Sequence, residues 1–129
     1  MFNDEEKAYL KSQRLARIAT VSVDLQPDVA PVLFKFRRER FYIGGYNVQK
    51  TRKYKNVLQN SQVSLVVDDL VAVKPWTPRG VRIHGKADIV SSSKEGELIR
   101  ITPDVKWSWG INQPAVKDGK DIIDKAVRT

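Results

Sequence analysis

Apolar and polar residues alternate along much of this chain, and where the alternation stops the spacing becomes that of short helices. Asn3 followed three residues later by Glu6 has the form of a capping box. A first helix is therefore predicted over "DEEKAYLKSQRL", with Ala8, Leu10 and Leu15 turned inward. "RIATVSV", Arg17 to Val23, alternates as a strand, and "DLQPD" supplies a turn. "VAPVLFKFR" returns as a second strand in which Pro31 calls for an edge position or a bulge. After "RRE" turns the chain, "RFYIGG" forms a third. Asn47 is the predicted cap of a helix through "VQKTRKYKNVLQN", with Val48, Tyr54 and Leu58 inward. "QVSLVVDD", "VRIHGKADIV", "ELIRITPD" and "VKWSWG" complete the strands, and "KDGKDIIDKAVRT" is a loose polar tail or one more short helix.

About six short strands with two helices predict a small antiparallel barrel or sandwich. No strand runs into a GxGxxG turn and no GxxxxGK[ST] loop is present, which removes support for a dinucleotide-binding α/β fold or a P-loop enzyme. The 129 residues favour a single domain, 1–129, with 111–129 as a polar extension. A core of this size is modest, and a partner subunit would help to cover apolar surface.

Charge changes the picture more than composition does. There are 23 Lys and Arg against 15 Asp and Glu, a formal +8 that concentrates anionic partners around the protein. Cysteine is absent, which excludes disulfides and thiolate chemistry. No apolar run is long enough to span a bilayer, and "MFNDEEKAYL" lacks the order of a signal peptide, so a cytoplasmic location is expected.

Lys50, Arg52, Lys53 and Lys55 fall within six residues with no acidic residue among them. Such a cluster is either the wet face of a surface helix or an anion site. A helix start presents free amides and partial positive charge, and Lys50 and Thr51 are expected in that first turn, after the permissive Gly44-Gly45. A phosphate pocket is the stronger expectation. The rival from another class is a barrel that binds single-stranded nucleic acid, with Tyr42, Tyr46, Trp76, Trp107 and Trp109 as stacking platforms. His84 is the only histidine, and Asp68, Asp69 and Asp88 have no metal-ligand spacing, so no metal is expected. Arg79 and Arg82 are solvent-facing or ligand-facing, and "WSWG" reads as core or interface. No hydrolytic triad motif is present, and no side chain stands out as acid, base or nucleophile.

The ordered segments "SQRLARIATVSVD", "APVLFKF", "FYIGG", "KTRKYKNVLQNSQVSLVVDDL", "PWTPRGVRIHGKAD", "LIRITP" and "WSWG" resemble the pyridoxamine 5'-phosphate oxidase-like split-barrel family over about residues 2–110. Within it they resemble the branch of deazaflavin (coenzyme F420)-dependent enzymes. The resemblance implies a six-stranded antiparallel split β-barrel that forms a homodimer and holds F420, or alternatively FMN, at the subunit interface. It implies an oxidoreductase moving a hydride to or from a small organic substrate, or a flavin carrier without turnover, with no nucleic acid or membrane partner. The family's phosphate-contacting segment falls on Lys50, Thr51, Arg52 and Lys53. Its ring-proximal strands fall on Ala19, Thr20 and Val21 and on Ala30, Pro31 and Val32. Arg79 matches a family arginine before the long strand, and Trp109 a residue that reaches the cofactor of the neighbouring subunit. The acidic tail of F420 suits Arg52 and Lys55, whereas the single phosphate of FMN needs only Lys50 and Thr51. Where relatives carry "DGxPHxxPV", this chain has "DLQPDVAPV", with Leu25 at the turn glycine and Asp28 at the histidine.

Overall fold

The computed structural model describes all residues, Met1–Thr129. Its elements in chain order are α1 (Asp4–Ser12), β1 (Leu15–Val21), β2 (Pro27–Leu33), β3 (Lys35–Arg37), β4 (Arg40–Ile43), a 3-10 turn (Val48–Lys50) and α2 (Arg52–Gln59). They continue with β5 (Gln62–Ala72), β6 (Thr77–Ser92), β7 (Gly96–Trp109), β8 (Val116–Lys117), β9 (Lys120–Asp121) and β10 (Asp124–Val127). No helix is long and apolar enough to cross a membrane.

The mainly β character with peripheral helices matches the sequence reading, but the six-stranded split barrel does not. Eight strands form one antiparallel sheet in the order β2-β1-β5-β6-β7-β4-β3, with β10 added to β7, and β8-β9 form a separate ribbon. No ladder joins β2 to β3, so the sheet is not a closed barrel. The count rises because the segment expected as one strand, Val29 to Arg37, breaks at Phe34 into β2 and β3, and because the tail supplies β10. In β7, Pro103 is accommodated by a register shift opposite His84-Gly85. The two segments expected as separate strands are thus one strand of 14 residues. It carries β6 along one edge, and β4 and then β10 along the other. The tail expected to be loose or helical contributes β10 to the sheet.

The capping box forms as expected: Glu6 N–H donates to Asn3 Oδ1 at 2.9 Å, and Asn3 N–H donates to Glu6 Oε1 at 3.0 Å. The inward face differs, since Phe2, Glu6, Tyr9 and Leu10 are buried while Ala8 and Leu15 are exposed. Glu6 is buried because its other oxygen is shared. Lys106 Nζ lies 2.6 Å from Oε2, Ser108 Oγ donates to the same oxygen, and Asn112 Nδ2 adds a longer bond. Burial pushes the Glu6 carboxyl up, but the donors from Lys106, Ser108 and Asn3 outweigh it and hold it below the ordinary value of 4.5. At its other end α1 is held by Tyr9, whose hydroxyl donates to Asp69 at 2.9 Å.

Leu25, at the turn between β1 and β2, has φ 64° and a side chain exposed to solvent. The left-handed region costs a non-glycine residue about 1–2 kcal/mol, part of which glycine would return as chain entropy. Leu25→Gly is therefore expected to raise stability by about 0.5–1 kcal/mol, read as a higher urea midpoint. A second expectation concerns acid. Because the folded-state pKa of Glu6 is lowered, its contribution is complete above about 4.5 and is lost as pH falls through the lower folded value. Lys106→Met, which strands a buried carboxylate, is expected to cost about 3–5 kcal/mol at neutral pH. Combining it with Glu6→Gln should recover part of that loss and flatten the acid limb of the urea midpoint against pH.

Candidate functional site

The basic stretch folds differently from one continuous helix. Asn47 sits in the left-handed region at φ 55° and makes no side-chain cap; the chain takes a 3-10 turn, and α2 then begins with Thr51 as its cap. Thr51 Oγ1 donates to the Val48 carbonyl at 2.6 Å and accepts from Tyr54 N–H at 3.4 Å. Val48 is buried, Tyr54 is half-buried and Leu58 is 60% exposed, so only part of the expected inward face is realised.

Two long-range contacts fix this turn. Tyr54 Oη donates to Glu97 Oε2 at 2.8 Å and Gln49 Nε2 donates to Glu97 Oε1 at 3.2 Å, so one β7 carboxylate grips residues on both sides of Lys50-Thr51. The hydrogen bond to Glu97 raises the Tyr54 phenol above its ordinary value. Farther along α2, buried Asn56 Nδ2 donates to Thr20 Oγ1 at 3.0 Å, tying the helix to β1. Lys50, Arg52, Lys53 and Lys55 enter no ion pair.

Of the two clefts that hold residues singled out in the sequence, the larger, about 760 Å³, opens where β2 passes into β3. Pro31, Val32, Leu33, Phe34 and Lys35 form one side, Tyr42, Gly44, Gly45, Lys53 and Leu98 another, and Lys11–Arg14 at the end of α1 a third. Of the residues singled out in the sequence, this cavity brings together Pro31, Val32, Tyr42, Gly44, Gly45 and Lys53, whereas Lys50, Thr51 and Arg52 are not in its lining. The smaller cleft, about 360 Å³, contains Ala19, Thr20 and Val21 with Ser64, His84 and the Lys86–Asp104 ion pair. Asp28 lines neither.

Arg79 and Trp109 lie elsewhere. Arg79 makes a two-point contact with Asp69, Nε to Oδ1 at 2.8 Å and Nη2 to Oδ2 at 3.0 Å, and its guanidinium stacks on Tyr9. The Arg79 hydrogen bond holds the Asp69 carboxyl below its ordinary value. Burial, followed by the bond to Asp69, pushes the Tyr9 phenol up. Trp109 lies across Gly80, where any Cβ would stand 2.5 Å from the indole, so that position requires glycine. Trp107 shares its face and is covered by Arg82 and Lys125, whose charged ends lie 4.1 and 5.6 Å from the ring centre. Of the other aromatic platforms, Tyr42 lies beneath Arg37, while Tyr46 and Trp76 are exposed.

Sequence reasoning missed the α1 wall of the larger cleft and the Glu97 grip. The run Lys11, Ser12, Gln13, Arg14 was visible as polar, but nothing in its spacing places it against Lys53. Glu97 is 43 residues from Tyr54. That pairing leaves no local pattern.

The family model described as pyridoxamine 5'-phosphate oxidase matches residues 2–129. The 5a,11a-dehydrotetracycline/5a,11a-dehydrooxytetracycline reductase of Streptomyces rimosus is 35% identical over 119 residues, covering 85% of this chain and 84% of that protein. Among solved structures, an F420 reductase superposes with a TM-score of 0.65 at 18% identity, over 82% of this chain and 98% of the other. A FAD-binding protein of Mesorhizobium loti also gives 0.65, at 17% identity, over 84% and 93%. At those identities the two structures speak to fold, whereas the family match spans nearly the whole sequence: this chain belongs to the pyridoxamine 5'-phosphate oxidase family.

Proposed function

We propose that this protein is an oxidoreductase that binds a flavin-type cofactor, F420 with FMN as the alternative, at a homodimer interface and moves a hydride to or from a small organic substrate. The observation that carries this reading is the larger cleft, where Lys53, the Pro31-Val32 strand end and the small Gly44-Gly45 segment line one cavity of about 760 Å³. Pockets for cofactors commonly occupy several hundred cubic ångströms and combine an apolar wall with a few polar anchors. The donor set fits an anionic group, because Lys53 has no carboxylate partner and stands in the first turn of α2. When bound, such a cofactor supplies the redox chemistry itself.

In this reading the chain's own part is to bind, orient and exclude water. Lys53 holds the phosphate, and Lys50 and Arg52 add positive potential beside it. Thr51 serves as the cap that fixes the turn, since its hydroxyl proton is directed to Val48. Pro31 and Val32 seat the ring edge. Ala19, Thr20, Val21 and Trp109 lie outside this cleft, and the homodimer is what brings their faces toward the neighbour's cofactor. Arg79, committed to Asp69 and Tyr9, acts on the frame and not on the ligand. Support for the dimer comes from β1 and β2, whose register sets Leu15 beside Leu33 and Ala19 beside Val29. Leu15, Val29 and Leu33 are each more than half exposed. Similarity to a reductase supports reduction of an organic acceptor.

The test is a parallel titration of cofactor-stripped protein with F420 and FMN, with subunit mass recorded alongside. Binding by a dimer, tighter for F420, is expected; binding of neither cofactor overturns the reading. Lys53→Ala should weaken binding by about 10- to 100-fold, the size of one charge-assisted hydrogen bond, and leave the urea midpoint unchanged. Thr51→Val should lower stability by about 1 kcal/mol through loss of the cap, and Thr51→Ser should restore it.

A further inference from the structure

The smaller cleft holds two polar side chains that the fold leaves unused. Register sets Ala19, Ser64 and His84 in one row across β1, β5 and β6. Facing neighbours in such a row point to the same side of the sheet and stand about 5 Å apart. Here that side is the outer one, since Ile18, Leu65 and Ile83, one position along each strand, are buried. The small side chains of Ala19 and Ser64 keep the floor of the cleft low, and His84 rises beside them as a wall. Neither the Ser64 hydroxyl nor the His84 imidazole makes a hydrogen bond within the chain. His84 also enters no ion pair.

The lining restricts what can bind there. Its lysine and its carboxylate, Lys86 and Asp104, lie 3.3 Å apart and answer each other, so neither is free for an ionic ligand. Val21 and Pro27, paired across β1 and β2, make one side apolar. Ser64 and His84 form the opposite, polar edge: a hydroxyl that donates or accepts, and an imidazole with an N–H to give. The imidazole is steadied by Trp107, whose ring lies 4.8 Å away in a T-shaped contact. A side chain held this way loses less freedom when it meets a ligand. The volume, about 360 Å³, suits a small ring system.

We infer that the smaller cleft is a binding site for a neutral, planar ring compound with a carbonyl or phenolic oxygen, which Ser64 and His84 hold between them. The apolar side takes the ring, and the two side chains take the oxygen. Calling that compound the acceptor of the hydride rests on the oxidoreductase reading; the site itself does not. In that reading the homodimer turns Ala19 and Val21, and this cleft with them, toward the neighbour's cofactor. Ser64 and His84 are then specificity-determining residues for the acceptor.

The test titrates cofactor-stripped protein with chromone, a neutral planar enone, and with naphthalene, a planar bicycle of similar size without oxygen. His84 is the only histidine, so its imidazole proton signals report on the cleft by NMR without overlap from another. Chromone should shift them saturably and bind about tenfold more tightly than naphthalene, the size of one hydrogen bond. A Ser64→Ala/His84→Phe variant, read at the backbone amides of residues 19–21, should bind chromone about tenfold more weakly and naphthalene within about twofold of wild type. Its urea midpoint checks the fold, and if it does not fold, Ser64→Ala alone should still weaken chromone binding. Silent His84 signals, equal affinity for the two probes, or unchanged chromone affinity in the folded variant overturn the site. Chromone binding in a protein that takes up neither F420 nor FMN upholds the site and removes only the acceptor role. Cofactor binding with no response of His84 to chromone overturns the site and leaves the cofactor reading standing.

Discussion

One residue, Phe34, separates β2 from β3, yet these strands occupy opposite ends of the hydrogen-bonded path through the sheet. That covalent fact constrains everything else. Six strand spacings of about 4.8 Å would hold the two ends roughly 29 Å apart in a flat sheet. Two residues of extended chain reach only about 7 Å. The sheet must therefore curl until its ends lie side by side, and the 19 buried residues of the core cluster fill the enclosed space. Phe34 packs against that cluster, its ring 5.8 Å from the ring of Phe41, so the junction is anchored inward as well as along the chain. The ends approach without forming a ladder, and the larger cleft has Phe34 and both its neighbours in its lining. Incomplete closure is thus what leaves the cleft at the seam.

A curled sheet with an open seam needs a cover that cannot slide, and α1 supplies it through polar contacts that tolerate little displacement. Glu6 reaches Lys106 and Ser108 on β7, and Tyr9 reaches Asp69 on β5. Moving the helix by one turn would leave a buried carboxylate without its donors, at a cost of several kcal/mol. Apolar packing alone would permit such movement more readily. A third tether joins the start of the chain to the β3–β4 turn, where Glu39 lies 3.4 Å from the Met1 amine and 3.5 Å from Lys7. The same anchoring presents Lys11–Arg14 to the cleft at a fixed position.

Much of this was legible locally and little of it globally. The capping box at Asn3 and Glu6, the strand at 17–23 and the long alternation from Val81 onward depend on neighbours in sequence, and each appears close to where it was expected. The break expected between "ELIRITPD" and "VKWSWG" is absent, because β7 runs on past Pro103 through a bulge that depends on a partner strand. The helix through 48–60 was overextended because Asn47 has the composition of a cap but a left-handed backbone, while Thr51 performs that role. Arg38 and Glu39 form the hairpin turn with positive φ at both positions, without the usual Asn-Gly signal. Of the site, the basic stretch and the Pro31-Val32 pair were visible in the sequence. Their meeting at the seam follows from sheet curvature, which no local spacing encodes.

The distribution of charge links the fold to the function. Eight of the 23 Lys and Arg residues form ion pairs, four of them across strands of the sheet: Arg17–Asp68, Arg79–Asp69, Lys86–Asp104 and Arg100–Asp88. Arg82 and Lys125 are occupied in another way, stacked on Trp107. The stretch from Lys50 to Lys55 has neither kind of partner, and the same holds for Lys11 and Arg14. Exposed like charges gathered this way are tolerated because water screens them, but they gain no stability from one another. Ion pairing within the fold therefore gives no reason for the cluster. What sets Lys53 apart within it is its place in the lining of the cleft at the seam, where the two ends of the sheet approach without pairing.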